Sequence, residues 1–162
     1  TAPASVRSVG EAVMAADRLL ETAKAQADAQ VSERNAREKA ELLRQLGMDE
    51  GESATKASRT MIRQLEEDQK RRSKRALTDA IDRALIDLLA IYRDVLMVQV
   101  GGDGELINTD LSDLVHEIAQ DSTPRQTLAR VDHIETARKR LVSNGNALLV
   151  LEDMAISLRP QA

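Results

Sequence analysis

From Glu11 to Leu46, and again from Glu52 to Val100, the chain contains neither glycine nor proline. Strands average about 5–6 residues and are bounded by turn residues, so uninterrupted stretches of this length are long helices. Ser8-Val9-Gly10-Glu11 reads as a capping box that starts the first near Val9, and Gly47 supplies the left-handed residue that ends it. Its apolar positions Val9, Val13, Ala16, Leu20 and Ala23 keep helical spacing. They thin out between Lys24 and Arg34, then resume at Ala36, Ala40, Leu43 and Leu46. That middle is expected to be solvated or lightly packed.

Asp49 to Ser58 is polar and holds Gly51, which marks a connector and a domain boundary. We expect residues 1–57 to be a long helix with its linker and residues 58–162 a second domain. In the second long helix Met61, Leu65, Leu77, Ile81, Leu85, Leu88, Tyr92 and Val95 share a face. Beyond Ala84 only a stripe of Asp79, Arg83, Asp87 and Asp94 stays polar, which predicts a buried C-terminal half. The helix ends at Gly101-Gly102-Asp103-Gly104.

Three shorter helices follow. Thr109 or Asp110 is expected to cap the first, which carries Leu111, Leu114, Val115, Ile118 and Ala119 at i, i+3, i+4, i+7, i+8. Thr123-Pro124-Arg125-Gln126 opens the second, with Leu128, Val131, Ile134, Leu141 and Val142 expected inward. Asn146 caps the third, Ala147 to Leu158, and Pro160 ends it. No β-type alternation competes. The reading is an all-α bundle of about five helices, with two long ones in the N-terminal half.

At 162 residues and 42% apolar, the chain has material for one or two domains and a core. It has no cysteine, which excludes disulfides, thiol chemistry and cysteine-ligated zinc. One tyrosine with no Phe or Trp leaves no stacking platform for single-stranded nucleic acid and no aromatic cage. The apolar stretch Ala84 to Val98 is cut by Asp87, Arg93 and Asp94, so it falls short of the ~20 apolar residues of a membrane span. With no hydrophobic signal region at the N-terminus, the chain reads as cytoplasmic and as a piece of something longer.

Charge is uneven: residues 54–100 carry ten basic and seven acidic side chains, net +3, whereas 101–162 carry six and ten, net −4. Within the basic stretch Lys70, Arg71, Arg72, Lys74 and Arg75 are weak phosphate-contact candidates. Glu66, Glu67 and Asp68 stand four residues before Lys70, Arg71 and Arg72, however, so the run reads first as a solvated, self-paired face. His116 and His133 stand alone on their helices and predict no metal site. The glycine cluster lacks the lysine of a phosphate loop, and no nucleophile–base–acid motif occurs, so no catalytic residue and no cofactor are expected.

Leu65-Glu66-Glu67-Asp68-Gln69-Lys70-Arg71-Arg72, Ala80-Ile81-Asp82-Arg83-Ala84-Leu85 and Ile91-Tyr92-Arg93-Asp94-Val95-Leu96 occur in that order. Ile107-Asn108-Thr109-Asp110, Leu141-Val142-Ser143-Asn144-Gly145-Asn146 and Leu151-Glu152-Asp153-Met154 follow. Together they resemble the C-terminal part of bacterial DNA polymerase III delta-prime subunits, the actinobacterial type most of all. The likeness spans about residues 60–158 well and 6–47 loosely.

The resemblance implies a non-catalytic helical collar domain that helps hold the clamp-loader ring together with gamma/tau and delta subunits, preceded by the end of the lid region. It further implies DNA contact only through the full complex, no membrane and no small-molecule substrate, and a place at the nucleoid-associated replisome. The AAA+ module, with its arginine finger and zinc-binding cysteines, has no counterpart in these residues. Tyr92, Arg93, Asp94, Asn108 and Asn144 match as motif positions, and a buried Arg93 paired to a carboxylate is expected to lock the helix to its neighbours. The competing reading is an independent coiled-coil adaptor, disfavoured by the apolar gap between Lys24 and Arg34.

Overall fold

The computed structural model describes residues 9–47, 55–143 and 145–159, with side chains from Ala12 onward. Among these are five α-helices: α1 Val9–Gln45, α2 Lys56–Gln99, α3 Ser112–Gln120, α4 Pro124–Val142 and α5 Ala147–Ser157, with a 3₁₀ turn at Thr109–Leu111 before α3. The all-α reading holds, including the two long helices in the N-terminal half. The expected Ser8–Glu11 capping box lies outside the described side chains, as does most of the expected connector. Thr55 caps α2 by accepting from the Ser58 amide at 3.1 Å, so this helix starts two residues earlier than its composition suggests.

Helix ends follow their local chemistry. Gly47 closes α1 at φ +64°. At the end of α2 the Gly101 amide donates to the Val98 carbonyl and the Gly102 amide to that of Met97, with Gly101 at φ +68°. This double bond pattern is a Schellman motif, which satisfies carbonyls the helix leaves open. Thr123 and Gln126 form the predicted capping box on α4, and Asn146 caps α5 through the Leu149 amide. Thr109 and Asp110 do not cap α3 with their side chains; they form the 3₁₀ turn. Asn108, the residue in the cap position of that turn, directs its side chain to Asp94 instead.

The chain divides into two compact units, and both long helices run through each: residues 23–80 form one, residues 1–22 with 81–162 the other. In the 23–80 unit Ala27 and Val31 bury against Ala76 with Leu77 beside them. The middle of α1 is therefore packed, not solvated, and Ala36 and Ala40 are the exposed residues. The sequence reading missed this because the seam is built from alanine, whose apolar signal is weak. The second unit buries Ile81, Leu85, Val95, Val115, Ile134 and Leu151 almost completely. In α4 the buried positions are Thr127, Arg130, Ile134, Ala137 and Leu141, alternating three and four residues apart. That seam leaves Leu128 and Val142 outside it, the latter 78% exposed.

Candidate functional site

The C-terminal half of α2 is where the motif residues converge. Asp94 is 0% exposed. Its Oδ1 accepts from the Ile107 amide at 2.9 Å and its Oδ2 from the Asn108 amide at 2.8 Å and from Asn108 Nδ2 at 3.1 Å. Arg93 Nη1 adds a charge-assisted bond to Oδ1 at 2.9 Å and donates to the Glu105 carbonyl at 3.1 Å. One carboxylate thus clasps the loop after α2 onto the helix. Burial pushes the Asp94 carboxyl up, but the two amides, Arg93 and Asn108 outweigh it and hold the group below the usual carboxylate range.

Two expectations are corrected by this geometry. Asp94 is part of the polar stripe of α2 but is not solvated, because loop amides arriving from thirteen and fourteen residues away replace its water. Arg93 is not the buried member: its side chain is 45% exposed, and the burial falls on its partner. The α2 half is also less covered than expected, with Ile86 and Val100 exposed and Met61 exposed further back. Asn144 lies outside the described residues.

A turn further along, Gln99 joins three elements. Its Nε2 donates to the Ser122 carbonyl at 2.9 Å and to Ser122 Oγ at 3.1 Å, and its Oε1 accepts from the buried Thr127 hydroxyl at 2.7 Å. Toward the start of this unit, Arg138 of α4 binds Asp82 of α2 at 2.8 Å and 3.3 Å. Tyr92, the lone aromatic, is buried, and the Arg130 guanidinium carbon stands 6.0 Å from its ring centroid. Burial raises the Tyr92 hydroxyl above its usual range, with the Arg130 charge opposing the shift. Arg130, Gln99 and Thr127 were not singled out from sequence; a capping-box helix with a threonine and an arginine at seam spacing was the available signal.

The basic run separates into distinct roles. Arg72 is half-buried and reaches α1 within the 23–80 unit, at 2.5 Å and 3.2 Å from Glu38 and 2.8 Å from Asn35 Oδ1. The Arg72 bonds, followed by the Arg34 contact, draw the Glu38 carboxyl below its usual range. Arg71 takes the expected partner Glu67 at 3.8 Å and also Asp68 at 3.4 Å, while Glu66 turns to Lys39. Lys70, Lys74 and Arg75 are exposed. His116 Nδ1 lies 2.7 Å from the Ser112 carbonyl, and among the described residues no group of His, Asp or Glu could hold a metal ion. Among them, too, no helix is long and apolar enough to cross a membrane.

Residues 52–159 match the family described as DNA polymerase III, delta subunit, C terminal. A curated relative, DNA polymerase III subunit delta' of Bacillus subtilis (strain 168), is 36% identical over 72 residues, which is 44% of this chain and 22% of the relative. The chain therefore spans about a fifth of that relative's length in the aligned part. No solved structure matches.

Proposed function

The chain belongs to the family of C-terminal domains of the DNA polymerase III delta subunit, and from that premise we propose that it is the collar domain of a delta-prime subunit. In this reading residues 58–162 pack against the equivalent domains of gamma/tau and delta subunits and help close the ring that loads the sliding clamp on primed DNA. Residues 1–57 are the end of the lid region. The domain is not itself an enzyme: it supplies position to subunits that carry nucleotide chemistry, meets DNA only through the complex, and works in the cytoplasm at the replisome.

The observation that carries the reading is the family match over residues 52–159, reinforced by the identity to the Bacillus subtilis delta' subunit. Two features support it. The clasp at Asp94 and the bonds of Gln99 fix loops and helix ends rigidly, which suits a scaffold. Ile86, Val100 and Ile107 stay exposed on and beside α2, apolar surface of the kind that partner domains cover. Co-purification of the chain with clamp-loader motor and delta subunits at micromolar concentration tests the reading. A stable complex is the expected result, and its absence removes the proposal.

One observation favours the adaptor reading more than the sequence did. The Ala27, Val31, Ala76 seam continues through the stretch where the apolar pattern had looked interrupted, so that interruption no longer counts against a coiled-coil hairpin. A chain that binds no clamp-loader subunit and self-associates through residues 23–80 would establish the adaptor role instead.

A further inference from the structure

Arginine carries its charge at every accessible pH, so a buried guanidinium needs an anion or several acceptors to offset lost water. Arg72, Arg93 and Arg138 each hold a carboxylate. Arg130 is more buried than any of these, at 8% exposure. Among the described residues it has no carboxylate within ion-pair distance and no oxygen accepting from it, only the face of Tyr92. Among the described residues no fully covered side-chain nitrogen is left without a partner. The small opening that Arg130 keeps therefore includes its guanidinium nitrogens, with the guanidinium carbon 6.0 Å from the centroid of the Tyr92 ring.

We propose that Arg130, which faces the Tyr92 ring, is a receptor for a carboxylate, supplied by an aspartate or glutamate side chain of a protein partner that docks on this face. A planar carboxylate on a flexible stem reaches a recessed fork and takes two parallel bonds from it. A phosphodiester backbone does not suit the site, since residues 101–162 carry net −4 and repel a polyanion. The proposal rests on the reading that the chain assembles with other subunits, and it names the residue at which one of them would be anchored.

Tyr92 is the chain's only aromatic side chain, so tyrosine fluorescence reports on this site alone. Titrating the isolated chain with sodium acetate, against sodium chloride at equal ionic strength, is expected to give a saturable change in wild type and none in Arg130→Met. An identical response to both salts, or an acetate response surviving in Arg130→Met, overturns the receptor. Methionine keeps the apolar stem, so the variant is expected to melt at or above the wild-type temperature. A fall of several degrees would instead make Arg130 an internal strut and overturn the proposal.

Affinity for the clamp-loader subunits is expected to drop at least about tenfold in Arg130→Met, with partial recovery in Arg130→Lys. Equal affinity overturns the anchor while leaving the assembly reading standing. An acetate response without any clamp-loader complex removes the assembly reading and leaves the receptor in place.

Discussion

Asp94 shows how one side chain can organise a loop. Three of its four acceptor contacts tie Ile107 and Asn108 to α2 and the fourth holds Arg93, and asparagine in its place presents an amide where carboxylate oxygens receive N–H groups. Asp94→Asn is expected to lose about 2–3 kcal/mol in urea denaturation. Because the folded carboxyl titrates below its unfolded value, its stabilisation is complete above the ordinary aspartate range near 3.9 and is lost as pH falls below it toward the folded value. Wild type should therefore lose stability between pH 5 and pH 2 more steeply than Asp94→Asn, as followed by denaturation at a series of pH values. The motif Tyr92-Arg93-Asp94 was legible in sequence, but the division of labour inside it was not. Carboxylates and guanidinium groups both favour water, and nothing local reveals that loop amides will bury Asp94 while Arg93 beside it stays 45% exposed.

At the scale of elements, the caps at Thr123 and Asn146 and the stop at Gly47 were legible because they depend on a few adjacent residues, whereas the cap expected at Thr109 or Asp110 is replaced by a 3₁₀ turn. Gly101 at φ +68° has nothing within 4 Å of where a Cβ would stand, so Gly101→Ala should cost only the left-handed penalty, about 1–2 kcal/mol, measured by thermal melting. The face of α4 was read less well. Leu128 and Val142 looked like core by type, yet the seam passes through Thr127, whose hydroxyl donates to Gln99, and Arg130, which faces the Tyr92 ring. Thr127→Val keeps the shape and removes the donor to Gln99, and is expected to lose about 1–3 kcal/mol, while Thr127→Ser retains most of it. On α2, the exposed members of the basic run beside the ion-paired Arg71 are Lys70, Lys74 and Arg75. Reversing these three to glutamate should leave the salt dependence of DNA retention unchanged if the run is a solvated face; a shallower slope would assign it phosphate contacts.

The two compact units differ in how much they bury. Residues 23–80 hold a narrow core of Ala27, Val31 and Ala76, flanked by the Arg72–Glu38 and Gln69–Asn35 contacts. The other unit buries large aliphatic residues from all five helices, including Leu20, Ile81, Leu85, Val115, Ile134 and Leu151. Native-state hydrogen exchange should therefore show residues 31–45 and 56–75 opening at lower free energy than the buried turns of α2, α4 and α5. Asp94→Asn should lower protection in the second group and leave the first unchanged. Helix content and the two long helices were visible at this scale from the missing breakers alone, whereas the division into units was not, because it cuts both helices where no glycine or proline marks the place.

The alanine seam alters how such a chain can be interrogated. Truncation experiments gain their signal from volume removed, and Ala23, Ala27, Ala76 and Ala80 have almost none to lose, so a conventional scan would be silent along most of this seam. Its tolerance runs in the other direction. What the seam encodes is proximity, and only added methylenes, at Ala27 or Ala76 for example, would reveal how closely the two backbones need to approach.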